Sequence, residues 1–392
     1  MISFDEAFAI VKAAARPLGT ERVALEEAAG RVLGTPVVSR IDGPRSDVST
    51  MDGYAVREAD LGPPPCRLRV IGASFPGAPY EGPVKAGTCV RIFTGAALPS
   101  GSDRVVIQEV VDRQDDEAVI AGPPSPSLYI RKKASDFAAG DVLVAAGRRL
   151  DARALVAAGA ADVGEVEVYL QPRVAIVATG DELRKPGATG VAEAIPDSIT
   201  LGLEALAKQC GAVVVDRQIL PDDLAATMPA VAKCLRLTDV LIVTGGASVG
   251  ERDYAKRMFE DLEILFAKVA IKPGKPVWLG RASGRLAIGL PGNPTSALVT
   301  ARLLLKPLLA GLGGLEPDAA LRWRRAPLAV AMEAGSDREI FWRAKDEDGK
   351  VVLIPDQDSG AQRTLAEADL LVRQAAGSPA LAAGDEVEIV DF

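Results

Sequence analysis

The stretch Asp239–Tyr254, DVLIVTGGASVGERDY, decides the fold. Val240 to Thr244 is an unbroken aliphatic and β-branched run, the composition of a strand buried on both faces of a parallel sheet. Gly245 and Gly246 remove the side chains where that strand ends, so the backbone can turn sharply and approach a ligand closely. Gly250 repeats this freedom before Glu251, Arg252 and Asp253, which open a helical pattern. A strand, a glycine loop and a helix N-terminus together make an anion site, because unpaired N–H groups converge there. Asp253 is the odd feature. A carboxylate repels a phosphate unless a cation lies between them, although an isolated Asp at this place also suits a helix cap.

Working outward, residues 171–318 alternate strand and helix: RVAIVATG, SITLGLEALAKQCG, AVVVDRQIL, DDLAATMPAVAKCLRL, then DVLIVTGG, EILFAKVAI and LAIGLPGNPTSALVTARLLLKPLL. Alternation at this period predicts a doubly wound α/β sheet. Upstream, residues 42–136 carry short β-type runs broken by Pro and Gly (CRLRVIGAS, TCVRIFTGA, RVVIQEVV, EAVIAGP), which predicts a small β domain. Helical patterns flank it at Ser3–Ala15, at Glu21–Leu33 and over GDVLVAAGRRLDARALVAAGAADV. The β domain therefore reads as inserted into a helical linker domain formed by 1–41 and 137–170. Residues 319–392 return to β patterning (LAVAMEAG, REIFWRAK, VVLIPD, DEVEIVDF). The expectation is a multidomain α/β and β protein.

The chain has 392 residues and a formal net charge of −8, which argues against non-specific nucleic-acid binding and requires a local basic pocket for any anionic substrate. It contains no histidine, which excludes His-based zinc sites, catalytic His dyads and triads and imidazole acid–base chemistry. Carboxylate, lysine and metal chemistry remain. Cys66, Cys89, Cys210 and Cys234 form no C-x-x-C pair and read as reduced thiols. The N-terminus is amphipathic with Asp5 and Glu6 inside its pattern, unlike a signal peptide. No apolar run is read as approaching the ~20 residues that span a bilayer, and the expected location is cytoplasmic, without membrane or nucleic-acid partners.

Loops after the carboxyl ends of parallel strands form the ligand crevice of such a sheet. This sequence puts Asp181 and Glu182 after the first strand, Asp222 and Asp223 after the second, and Asp253 after the third. After LAIGL comes PGNPTS, where Asn293 suits a cap, Pro294 the first helical position, and Ser296 offers a hydroxyl. Carboxylates on successive strand ends beside a phosphate-type loop are what a Mg²⁺–phosphate site requires, although Asp222 and Asp223 also suit a helix start. Lys272-Pro273-Gly274-Lys275-Pro276 is a tight turn presenting two ammonium groups, which repel each other unless an anion lies between them. Arg338 and Arg343 flank Phe341-Trp342, and Gln357 and Ser359 follow VVLIPD; alone these read as a surface ion pair and a polar turn. Asp52-Gly53 reads as a hairpin turn. Neither G-x-x-x-x-G-K-[ST] nor G-x-G-x-x-G occurs.

Taken in order, STMDGYAV, IFTGAALPSGSDRVV, VAIVATGDEL, IVTGGASVGERDY, IKPGKP and LPGNPTS resemble the MoeA/gephyrin E-domain family of molybdopterin molybdenumtransferases over nearly the whole chain. The resemblance implies a helical linker, an inserted β domain, an α/β molybdopterin-binding domain and a C-terminal β barrel. It also implies a homodimer whose site is shared between the α/β domain of one subunit and the inserted domain of the other. The implied reaction joins molybdate to adenylyl-molybdopterin with Mg²⁺, giving molybdenum cofactor and AMP. Molybdopterin adenylyltransferase and apo-molybdoenzymes are implied partners. By motif, Asp52, Thr94, Asp136, Glu182 and Asp253 would be catalytic, and Glu182, Asp222 or Asp223, and Asp253 would hold the metal. Thr179, Gly180, Asp197, Ser198, Gly245, Gly246, Ser248, Gly250, Pro276 and Asn293 would bind substrate. Lys272, Lys275, Ser296, Arg338 and Ser359 would hold molybdate. The chain departs from the family pattern in having Ile199 where Asp-Ser/Thr-Asn ends in Asn, Ala134-Ser135-Asp136 in place of Gly-Glu-Asp, and GAQRTLAEADLL after Ser359. These departures leave open a carrier or scaffold for molybdopterin, and more remotely an adenylyltransferase.

Overall fold

A computed structural model of the chain describes residues 1–123, 125–188, 193–245 and 254–392. Its centre is a six-stranded sheet in the order Val213–Leu220, Arg173–Thr179, Val240–Thr244, Arg285–Leu290, Trp278–Ala282, Glu263–Ala267. Every residue of Val240–Thr244 is buried. Its side chains alternate between two cores, Val240 and Ile242 on one face, Leu241 and Val243 on the other, which is why the run carries no polar alternation.

The first four strands run parallel. Trp278–Ala282 runs antiparallel to its neighbours on both sides, so the sheet is mixed and not wholly parallel. The difference arises at Trp278–Ala282, which the sequence pattern did not reveal. Ser283 and Gly284 both adopt positive φ (49° and 73°) and fold this strand into a hairpin with Arg285–Leu290. Strand order reverses between Arg173–Thr179 and Val240–Thr244, and a crevice opens at such a point.

Residues upstream build a second six-stranded sheet, with Gly53–Val56 between Arg104–Ile107 and Thr88–Ile92. The Asp52-Gly53 hairpin expected from sequence does not form: Val48–Ser49 pairs with Ile130–Arg131 instead. Gly53 is required by close approach, since a Cβ there would lie 2.1 Å from the Val106 carbonyl oxygen. Gly53→Ala should therefore destabilise the protein by about 2 kcal/mol. An unfolding midpoint equal to the parent's would contradict that packing.

The expected helix over Glu21–Leu33 is instead the strand Thr20–Ala24 and a short 3-10 turn, Leu25–Glu27. The strand pairs with Glu165–Tyr169, a partner more than a hundred residues away that outweighs local helical periodicity. The helix expected over GDVLVAAGRRLDARALVAAGAADV starts only at Ala152, and Val142–Val144 within that stretch is a strand. Helix Phe4–Ala14, opened by a Ser3–Glu6 capping box, sends Phe4, Ala7 and Val11 into the core of the central sheet. Sequence had grouped it with the linker.

At the C-terminal end, Ile271–Lys272, Glu339–Glu347, Leu370–Gln374, Glu386–Asp391 and Arg324–Pro327 form a sheet in that order, with Lys350–Leu353 on Glu339–Glu347. A bridge between Leu328 and Val351 links the end of Arg324–Pro327 to Lys350–Leu353. Most of LAVAMEAG, expected as a strand, makes only isolated bridges, and Leu370–Gln374 takes the central place.

Pro294–Leu312 is one helical run of 19 residues, long and apolar enough to span a bilayer, contrary to the sequence reading. Its apolar character comes from packing inside the protein, where 89% of its most apolar 18-residue window is buried.

Candidate functional site

Two cavities meet at the carboxyl end of the central sheet. The larger, about 550 Å³, is lined by Lys272, Lys275, Pro276, Ser296, Arg338 and Ser359, with Gln357 and Asp358 also on its wall. Topology brings these together: Lys272 lies on a short strand paired with Glu339–Ile340, so the Lys-Pro-Gly-Lys-Pro turn sits at the seam between the two sheets. Among the described residues neither Lys272 nor Lys275 has an ion-pair partner. Among the described residues Arg338 has an ion pair only with its neighbour Asp337, at 3.8 Å. The Asp358 carboxylate is turned back to accept from the Gly360 N–H at 2.7 Å. The cavity therefore presents three cations to an anion that can enter it.

The smaller cavity, about 270 Å³, lies at the reversal of strand order and is lined by Thr179, Glu182, Asp197, Ser198, Gly245 and Asn293. Gly245 has φ +85°, and a Cβ on it would sit 2.4 Å from the Thr179 carbonyl oxygen, so the two strand ends can meet only with glycine here. The Thr179 hydroxyl is buried and finds no hydrogen-bond partner among the described residues. Glu182 curls back over Gly180, its carboxylate oxygens 2.7 Å from where a Cβ would be, likewise without a described partner. Asp197 is 3% exposed; it accepts from the Thr200 N–H at 3.1 Å and from the Thr200 hydroxyl. Ile199 also lines this cavity.

Asn293 joins the two cavities. It occupies the position before helix Pro294–Thr300, yet it does not cap that helix as expected. Its amide nitrogen donates instead to the Ser359 hydroxyl at 2.8 Å.

Arg343 was read from sequence as part of a surface pair, but it is 1% exposed. Its guanidinium donates to the backbone carbonyls of Asp356 and Asp358 at 3.0 and 3.1 Å, to the Thr295 hydroxyl at 3.0 Å and to the Thr364 hydroxyl at 3.2 Å. One buried side chain thus ties the Ser359 loop to the helix start bearing Ser296. Burial pushes its pKa down, against the opposing charges of Asp356 and Asp358. The signal available in sequence was an Arg inside an apolar β run, which needs multiple acceptors when buried.

The remaining predicted residues fall in separate places. Asp223 is the N-cap of helix Leu224–Leu237, accepting from Ala225 at 3.0 Å, and Asp181 accepts from the Asp222 N–H at 3.1 Å. Neither Asp222 nor Asp223 lines either cavity. Among the described residues no three carboxylates gather as a metal cluster. Asp253, with Gly246, Ser248 and Gly250, lies outside the described residues. Asp52 and Thr94 do come together: the Thr94 N–H and hydroxyl both donate to one Asp52 oxygen, at 2.8 and 2.9 Å. These bonds hold the exposed Asp52 carboxyl below its usual range, the backbone donor contributing most. Such a group loses this interaction only when pH falls through its depressed pKa, so Asp52 is ionised at neutral pH. This pair lines neither cavity of its own chain, and Asp136 lies at the Gly43 turn, donating its N–H to the Gly43 carbonyl at 3.0 Å.

Comparison with known proteins resolves the family. Residues 2–164 match the MoeA N-terminal region (domain I and II), 175–311 a probable molybdopterin binding domain, and 325–392 the MoeA C-terminal region (domain IV). A molybdopterin molybdenumtransferase of Haemophilus influenzae is 37% identical over 313 residues, spanning 79% of this chain and 76% of that one. The chain belongs to the MoeA family. A second such transferase, from Synechococcus elongatus, is 33% identical over 99% of both chains. The molybdopterin biosynthesis MoeA protein of Pyrococcus horikoshii superposes with a TM-score of 0.83 at 31% identity, covering 100% of this chain and 99% of its own. MoeA membership accounts for the multidomain α/β and β architecture and puts the chain among transferases of molybdenum cofactor biosynthesis.

Proposed function

We propose that this MoeA-family chain inserts molybdenum from molybdate into adenylyl-molybdopterin and releases AMP. The observation that carries the reading is the cationic cavity of Lys272, Lys275 and Arg338, in which neither lysine has an ion-pair partner among the described residues, opening beside a second cavity whose Thr179 hydroxyl and Glu182 carboxylate likewise have no described partner. Lys272, Lys275 and Arg338 attract the molybdate dianion, and the Ser296 and Ser359 hydroxyls orient its oxygens. Thr179 donates to a phosphate oxygen of the pterin nucleotide, beside the Gly245 turn where backbone can approach it closely. Asn293 and Ser359 hold the boundary at which the dithiolene meets the oxyanion.

The donor set at Glu182 fits a Mg²⁺ shared with substrate phosphates, because this ion commonly takes one or two carboxylates and completes its shell with phosphate and water. Glu182 would hold it together with Asp253, and the ion would neutralise the diphosphate during cleavage. Asp222 and Asp223 would stand outside that shell.

The four-part division at 1–41 with 137–170, 42–136, 171–318 and 319–392 belongs to this proposal, with the third part binding molybdopterin and the last a β barrel. So does a cytoplasmic homodimer in which the Asp52–Thr94 pair and Asp136 of one subunit complete the cavities of the other. Asp52–Thr94 is a preformed, ionised group lacking a cavity of its own, which supports that arrangement. Docking with a molybdopterin adenylyltransferase and delivery to an apo-molybdoenzyme complete the reading.

The test is complementation between defective subunits. Asp52→Asn and Lys275→Ala should each release little AMP from adenylyl-molybdopterin at low molybdate. Co-expressed, the mixed dimer contains one site with both native halves, and activity should return to about a quarter of the parent's, half of the dimers being mixed. No recovery in a verified mixed dimer would refute the shared site.

A further inference from the structure

A small cavity of about 20 Å³ lies where strand Glu165–Tyr169 ends against the C-terminal caps of helices Ile199–Gln209 and Lys306–Leu312. Arg31, Arg149, Tyr169, Gln171, Cys210 and Gly211 are on its wall. None of its lining residues belongs to the cavities of Lys272 or Gly245. We infer that it binds one monatomic anion, a halide, as a fixed charge at this seam.

Size restricts the guest first. A volume of about 20 Å³ admits a single water-sized particle and excludes molybdate, phosphate and any nucleotide. The choice is therefore between an ordered water and a halide ion.

Hydrogen bonding favours a guest that only accepts. The Arg31 Nε–H is buried and finds no partner among the described residues. The carbonyls of Tyr169, Gly30, Cys210 and Gly211, to which a water could donate, are already engaged. Arg31 Nη2 donates to Tyr169 at 2.8 Å, and Arg149 donates to Gly30 and Cys210 at 3.1 and 3.3 Å. The Gln171 amide donates to Gly211 at 2.9 Å. The bonds to Cys210 and Gly211 also blunt the negative end of helix Ile199–Gln209, which would otherwise repel an anion.

Charge points the same way. Arg149, Arg302 and Lys306 have no ion-pair partner among the described residues, and their fields all reach the Cys210 thiol on the cavity wall. Burial pushes that thiol's pKa up, so Cys210 stays neutral and adds no negative charge. Glu21 pairs with Arg31, and Asp391, the carboxylate beside Arg302, is shared with Arg324. Arg31, Arg149, Arg302 and Lys306 thus face only these two carboxylates, which are 43% and 80% exposed and screened by water. Burial, with Arg302 beside it, pulls the Lys306 pKa down, which fits a seam with positive charge in excess. A halide held against Arg31 and Arg149 relieves that excess.

The experiment joins crystallography of the full chain soaked in sodium bromide with thermal unfolding in sodium chloride and sodium gluconate at matched ionic strength. A bromide anomalous peak is expected against the Arg31 guanidinium. The unfolding midpoint should rise by about 2 °C more in chloride than in gluconate as the salt increases from roughly 1 to 200 mM. Sodium sulfate, whose anion is too large to enter, should match gluconate at the same ionic strength. Arg149→Met should abolish the chloride-specific rise; if that variant does not fold, the bromide peak and the chloride response of the parent decide. Density in the cavity without an anomalous signal describes an ordered water and overturns the proposal. Equal midpoints in chloride and gluconate would overturn it too, because a bromide peak would then report binding at crystal concentration only. So would a chloride response that survives in a folded Arg149→Met.

Discussion

Replacement of Arg343 by Met is expected to destabilise the protein by on the order of 4 kcal/mol, the upper range for single substitutions. It should also remove measurable molybdate binding. The guanidinium is fully buried and supplies donors to the Asp356 and Asp358 carbonyls and to the Thr295 and Thr364 hydroxyls. Met keeps much of the volume but leaves those acceptors dry, and each unsatisfied buried group costs about 1–3 kcal/mol. The Ser359 loop, which walls both cavities, would then lose its tether to the helix bearing Ser296. Lys at this position should recover only part of the stability, because a single ammonium cannot reach acceptors spread around a planar fork. Denaturant unfolding and molybdate calorimetry on the same preparations check this. A variant with parental stability and parental molybdate affinity would show that Arg343 holds nothing together.

The double variant Lys272→Ala, Lys275→Ala should keep its fold and lose oxyanion affinity by roughly 100-fold, about 3 kcal/mol. Neither ammonium has an ion-pair partner among the described residues, so its removal strands no buried carboxylate. The loss should grow at low salt, where screening of the parent's attraction is weakest. AMP release should recover partly at high molybdate, because the phosphate-side cavity is untouched. If the variant matches the parent at low molybdate, the oxyanion is held elsewhere.

What sequence revealed about the fold depended on whether the deciding interaction was local. Val240–Thr244 was readable because a strand buried on both faces must be apolar throughout, and its glycine terminus follows from the approach of Thr179. The Lys-Pro-Gly-Lys-Pro turn was readable because paired cations without counter-charge are costly wherever they lie. Thr20–Ala24 was not, since only its pairing with Glu165–Tyr169 makes it a strand. The hairpin at Ser283-Gly284 was missed because its first strand is short and contains Gly280 and Arg281.

The same division runs through the candidate site. Lys272, Lys275, Ser296, Arg338 and Ser359 were grouped by the family resemblance, and they line one cavity. Asn293 looked like a cap from its neighbours, but its partner Ser359 is 66 residues away. Asp223 was read both as ligand and as helix start, and it accepts the Ala225 N–H as the cap of helix Leu224–Leu237. Arg343 could not be distinguished from Arg338 by composition. Their difference lies in register on Glu339–Glu347: Arg343 faces inward on that strand, while Arg338 precedes it.

The central claim is that these cavities hold adenylyl-molybdopterin and an oxyanion for one transfer. A single-turnover reaction tests it most directly: purified chain with stoichiometric adenylyl-molybdopterin, Mg²⁺ and molybdate, following AMP, metal bound to pterin and reactivation of an apo-molybdoenzyme. The account predicts AMP and metal-loaded pterin appearing together in equal amounts, and neither without molybdate. Adenylyl-molybdopterin that stays bound and intact at saturating molybdate and Mg²⁺ would contradict it and identify the chain as a carrier.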